Sequence, residues 1–80
     1  MQRDEVETQV RRMLADIKPD LGVETAAADY DLSEAGFDSL DAANLIEAIE
    51  DQFSVEISDA EAMSFTSIGA ITSIIAARAA

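Results

Sequence analysis

The residue with the clearest chemical opportunity is Ser39, within Gly36-Phe37-Asp38-Ser39-Leu40-Asp41. Its hydroxyl stands at the mouth of an acidic helix, but alone it is a poor nucleophile, and no base in the chain can activate it. The 80 residues contain no His and no Cys. Ser-His-Asp catalysis, His-metal sites, zinc-thiolate sites and disulfides are therefore excluded, leaving no catalytic residue and no metal ligand to name. Asp29-Tyr30-Asp31-Leu32-Ser33 opens like a calcium loop, but neither register completes it. Counting from Asp29 puts Glu34 at position six and Leu40 at twelve, while counting from Asp31 puts Gly36 at six and Ala42 at twelve. Both lose the bidentate Glu. A Gly-x-Ser-x-Gly elbow is absent, and glycines at 22, 36 and 69 make no phosphate loop. What Ser39 does offer is a place for an anion. A phosphate ester there would lie beside the free N–H groups of a first helical turn. The plain alternative is that Asp38 and Ser39 only cap the helix.

Four helices are expected to position that turn. Val6, Val10, Met13, Leu14 and Ile17 fall on one stripe of a helix over 3–18, with acids at its start, bases toward its end and Pro19 to stop it. Residues 19–38 follow neither helical nor strand period and form a long first loop, with Tyr30, Leu32 and Phe37 as its natural anchors. From 39 to 53, Ala42, Leu45, Ile46, Ile49 and Phe53 share a face, and Asp38 with Asp41 can form a capping box. Ser58-Asp59-Ala60-Glu61 has the form of a second box and opens a short helix over 59–64. Val55-Glu56-Ile57 resembles a short strand but has no partner run. A fourth helix over 67–78 carries Ile68, Ile71, Ile74 and Ile75. The fold class is all-α: a four-helix bundle with three longer helices and one short third helix, in one domain over 1–80.

Charge narrows the partners. Seventeen acids against five bases give −12, and from Pro19 to Ala77 there are 13 acids and no Lys or Arg. Such a surface repels phosphate backbones and anionic lipid, so nucleic acid and membranes are poor partners and basic protein patches are good ones. Repulsion among these acids is expected to raise carboxyl pKa values, so that salt and mild acidification stabilise the fold until carboxylates with lowered pKa values, such as a helix-capping Asp38, begin to lose their contacts. No run approaches the roughly 18–20 apolar residues of a membrane span, and the first residues lack a signal peptide's apolar run. A cytoplasmic monomer is the expectation.

The segment 36–40 resembles the Asp-Ser-Leu signature of acyl carrier proteins, and the resemblance spans nearly the whole chain. Leu21-Gly22-Val23 is similar to the segment after that family's first helix, and Tyr30-Asp31-Leu32 to the part that packs its long loop. The run from Leu45 to Phe53 resembles its second helix, and Ile57-Ser58-Asp59-Ala60-Glu61-Ala62 the start of its third. The resemblance implies that Ser39, flanked by Asp38 and Leu40, carries 4′-phosphopantetheine installed covalently from coenzyme A by a Mg-dependent phosphopantetheinyl transferase. The thiol of that arm then holds acyl groups as thioesters. It also implies a docking strip of Asp41, Asn44, Glu47 and Asp51 for acyltransferases, ketosynthases or ligases with basic patches. A core rich in Ile and Ala, with few aromatics, could open between the helices to admit an acyl chain, with Ile46, Ile49, Phe53, Ile57, Ile71 and Ile74 as the lining; the plain alternative is that these six are ordinary packed core.

Departures from the family pattern bear on the pathway. Fatty-acid carriers commonly have an acid where this chain has Asn44 and an exposed apolar residue where it has Glu47. Ser58 replaces a frequent Pro, the fourth helix lacks the common aromatic, and Phe37 is more usual in polyketide carriers. A free-standing carrier for fatty-acid, polyketide or another specialised biosynthesis is the leading reading. The alternatives are an unmodified four-helix interaction module and an aminoacyl or peptidyl carrier, whose signature usually lacks the Asp before Ser.

Overall fold

The structure, a computed structural model, describes residues 2–22 and 26–79. It is all-helical, and no strand occurs among the described residues, Val55-Glu56-Ile57 included. The α-helices among the described residues are α1 (Arg3–Ile17), α2 (Ser39–Phe53), α3 (Asp59–Ala62) and α4 (Ile68–Ala79).

The first helix stops one residue before the expected end. Lys18 precedes Pro19, whose ring disfavours the α conformation in its neighbour, and Lys18 lies at φ −144°, ψ 85°. Its N–H still closes onto Leu14 O at 2.8 Å. Val6, Val10, Met13 and Leu14 are buried, as the stripe requires.

The third helix is two residues shorter than expected. After Ala62 the chain tightens into short turns, with Ser64 N–H donating to Glu61 O and Phe65 N–H to Ala62 O. These turns swing Phe65 into the core, a burial that periodicity does not signal. The fourth helix begins one residue later than expected because Ser67 is its cap. Ser67 Oγ accepts from Ala70 N–H at 3.1 Å, and Ser67 O accepts from Ile71 N–H at 3.0 Å.

The core is mostly aliphatic. Leu45 and Ile49 of α2 meet Val6, Val10 and Leu14 of α1, with Ile68, Ile71 and Ile75 of α4 and Phe65 closing it. α1 packs most extensively on α4 and next on α2. Thr72, inside this set, is fully buried, and its hydroxyl has no hydrogen-bond partner among the described residues.

The long connection between α1 and α2 contains two 3₁₀ turns, Pro19–Leu21 and Leu32–Ala35. Leu32 and Phe37 anchor it in the core. Tyr30 does not: it is 37% exposed. Its N–H closes a turn onto Ala27 O, which leaves the amphipathic ring at the surface. Backbone contacts replace that anchor. Arg11 Nη1 donates to Ala26 O at 2.8 Å, and Gly69 N–H donates to Ala28 O at 2.7 Å. A Cβ on Gly69 would stand 3.1 Å from that same oxygen, so the close approach depends on glycine. Val23, part of the Leu-Gly-Val segment, lies outside the described residues.

Candidate functional site

Ser39 is the first residue of α2, and the turn before it is firmly placed. Asp31 caps the 3₁₀ turn by accepting from Ser33 N–H at 3.0 Å and Ser33 Oγ–H at 2.7 Å. These two bonds, led by the side-chain one, hold the Asp31 carboxyl below its ordinary range. Leu32 N–H reaches across to Thr66 O at 2.9 Å, and Phe37 N–H returns to Leu32 O at 3.1 Å. Between them Gly36 adopts φ +92°, a left-handed conformation that a side chain would strain. Two buried apolar residues and a reversed glycine thus aim Asp38 and Ser39 outward.

Asp38, not Ser39, caps the helix. Asp38 Oδ1 accepts from Asp41 N–H at 3.0 Å, and Asp41 Oδ2 accepts from Asp38 N–H at 3.2 Å. The capping box closes although Asp41 is one methylene shorter than the usual Glu. The Asp41 N–H bond is the main reason the Asp38 carboxyl lies below its ordinary range; Leu40 N–H and the Lys18 charge add to it. Ser39 is exposed, and its hydroxyl has no hydrogen bond among the described residues. The cap and the spare hydroxyl belong to adjacent residues.

Residues 9–75 match the phosphopantetheine attachment site family, PP-binding. The chain belongs to that family. It is a phosphopantetheine carrier, whose covalent group is 4′-phosphopantetheine and whose role implies a phosphopantetheinyl transferase and biosynthetic enzymes as partners. The serine turn fits such a group: the hydroxyl is open to solvent and is not spent on capping.

Around the serine, the carrier's remaining candidates fall into two sets. Leu40, Asn44, Glu47 and Asp51 recur at helical spacing and are all exposed, Leu40 at 70%. An open groove along α2 brings Asn44, Glu47 and Asp51 together with Ala48 and Glu50. Asp41 is set apart from this row: it is half-buried, with Lys18 Nζ 3.7 Å from its Oδ2. In the second set, Ile49 and Ile71 are fully buried, while Ile46, Phe53, Ile57 and Ile74 are half-buried against the same core.

Several residues that shape this region carry no local signal. Lys18 joins the end of α1 to the first turn of α2. Arg78 Nη1 donates to Glu56 O at 2.8 Å, and its Nη2 pairs with Glu61, tying α4 to α3 and the segment before it. Glu50 Oε2 accepts from Ile57 N–H at 2.9 Å. The isolation of Arg78 in an acidic stretch was the one hint available for any of these contacts. No described helix is long and apolar enough to cross a membrane.

Proposed function

We propose that Ser39 is the attachment residue and that the carrier shuttles acyl intermediates between fatty-acid, polyketide or other specialised biosynthetic enzymes. The observation that carries this reading is the exposed, unbonded Ser39 hydroxyl at the start of α2, with capping left to Asp38. Installation forms a bond from Ser39 Oγ to the pantetheine-bearing phosphorus of coenzyme A and breaks the pyrophosphate link, releasing the nucleotide. The serine proton passes to a base on the transferase, because this chain has neither His nor Cys. Once attached, the arm supplies a thiol that holds acyl groups as thioesters.

The exposed row of Asn44, Glu47 and Asp51, with Leu40 beside the serine and Asp41 at the helix start, supports docking to basic patches. The net charge of −12 supports long-range steering toward them. The half-buried Ile46, Phe53, Ile57 and Ile74, over Ile49 and Ile71, are the residues proposed to part around an acyl chain. Loading progressively longer saturated chains is expected to raise the melting temperature stepwise if they do.

The decisive experiment is intact mass after incubation with coenzyme A, Mg and a promiscuous transferase. A gain of one arm that is lost in Ser39→Ala supports the proposal. No gain with several transferases would sink it. Glu47→Lys should slow the reaction and flatten its salt dependence.

A further inference from the structure

A phosphodiester on Ser39 brings a full negative charge into a turn that already holds Asp38 and Asp41. The first-turn N–H groups of a helix are the usual home for such a charge. Here two of them are engaged: Asp41 N–H is bonded to Asp38 Oδ1 at 3.0 Å, and Leu40 N–H leans on the same carboxylate, which leaves only the Ser39 N–H of the turn. The counter-charge must come from a side chain, and from residue 19 to residue 77 the chain has no Lys or Arg.

Lys18 stands at this place. Its Cε lies 3.6 Å from where a Cβ on Gly36 would be, three residues before the serine, and its Nζ is 3.7 Å from Asp41 Oδ2. That separation is longer than a hydrogen bond, so the pair is held by charge alone. Asp41 Oδ2 is also shared with Asp38 N–H at 3.2 Å. The lysine side chain is one-third exposed, and an ammonium on a flexible stem reorients readily. Of the other four cations, three are committed elsewhere: Arg3 to Gly69 O, Arg11 to Glu7 and Ala26 O, and Arg78 to Glu56 O and Glu61; Arg12 is exposed on α1 beside Thr8, Arg11 and Ala15.

We propose that Lys18 is a positioning residue for the prosthetic arm: it rests on Asp41 in the unmodified chain and transfers to the phosphodiester once Ser39 is loaded. The exchange leaves the Asp38 cap intact, returns the Asp41 carboxylate to solvent, and holds the root of the arm toward the end of α1. It rests on the reading of Ser39 as the attachment residue.

Lys18 is the lone lysine of the chain, so its Nζ and Cε resonances need no assignment. The experiment compares unmodified and loaded wild type, Lys18→Gln and Lys18→Arg by nitrogen, carbon and phosphorus NMR, after mass spectrometry has confirmed the arm. The expected results are a lysine–phosphorus proximity signal in the loaded chain and an Asp41 carboxylate carbon shifted to its position in unmodified Lys18→Gln. The phosphorus resonance should also shift in loaded Lys18→Gln and be retained in Lys18→Arg. A lysine resonance and an Asp41 carbon unchanged by loading overturn the inference while leaving the attachment reading standing. Absence of any mass gain overturns the attachment reading, and this inference with it.

Discussion

The two short segments that flank α2 are held by opposite means. The turn before it, residues 31–38, is pinned from inside by Leu32 and Phe37 and from the side by the Leu32 N–H bond to Thr66 O. α3, which follows, has no buried residue. It is held by its Ser58–Glu61 capping box and by Arg78 reaching over from α4. Apolar burial is lost only when the core opens, whereas exposed polar contacts exchange with water locally and cheaply. The serine is therefore given a fixed address, and α3 is the flank able to lift.

The largest test of that contrast is Leu32→Ala. Deleting a fully buried leucine side chain costs about 2–5 kcal/mol, readable by denaturant titration, and the serine turn should lose amide protection with it. Retained protection around Phe37 would break the comparison. Thr72→Val is the control for the shared core. It removes a buried hydroxyl without a partner and should stabilise the carrier by about 1 kcal/mol, slowing exchange in both flanks alike. Arg78→Ala sharpens the contrast at little global cost, since an exposed ion pair contributes little. The amides of Ala62 and Met63 should exchange faster while those of Leu32 and Phe37 do not. Equal loosening of both flanks would show that they move as one unit.

The smallest effect is that of pH, and it falls on the caps. Crowding of thirteen acids suggests raised carboxyl pKa values with the capping Asp38 as an exception; Asp38 is held low by hydrogen bonds, and so are Asp31 and Glu61, Glu61 chiefly by Ser58 N–H. A carboxyl with a lowered folded pKa adds stability that is complete above its unfolded value and is lost as pH falls through the folded one. Acidification below about pH 4 should therefore fray both ends of the comparison, at the start of α2 and at α3. Backbone amide shifts of Asp41 and Glu61 would report it. If those amides hold their positions into stronger acid, the caps do not depend on ionised carboxylates.

What could be read in advance follows the range of the forces involved. The stripe from Val6 to Leu14, the Asp38–Asp41 box and the Ser58–Glu61 box are written in residues a turn apart, and all three form. Ser39 stood out because a hydroxyl beside a helix start is also a local pattern. Its freedom from capping duty follows from the Asp38–Asp41 box, since a helix start with Asp38 as its cap leaves the Ser39 hydroxyl over. Tyr30 departs from the expected anchor role because aromatic character does not say whether a turn will face inward. The pairs Lys18–Asp41 and Arg78–Glu61 join residues far apart in sequence, and Phe65 is buried by turns that break periodicity. Contacts of that kind are decided by how helices settle on one another. Thr72 follows the same rule: only packing shows that its hydroxyl has nothing to bond.

The bond from Leu32 N–H to Thr66 O, and the bond from Gly69 N–H to Ala28 O, also set an order in time. Both tie the stretch before α2 to residues made more than thirty positions later. A growing chain that has only just emerged through α2 has already exposed Ser39 but has nothing against which to close the turn that presents it. The serine's surroundings are completed only once Thr66 and Gly69 have been made. On the reading of Ser39 as the attachment residue, a transferase that recognises the finished turn, and not the bare tripeptide Asp38-Ser39-Leu40, distinguishes folded carriers from nascent ones without any further signal.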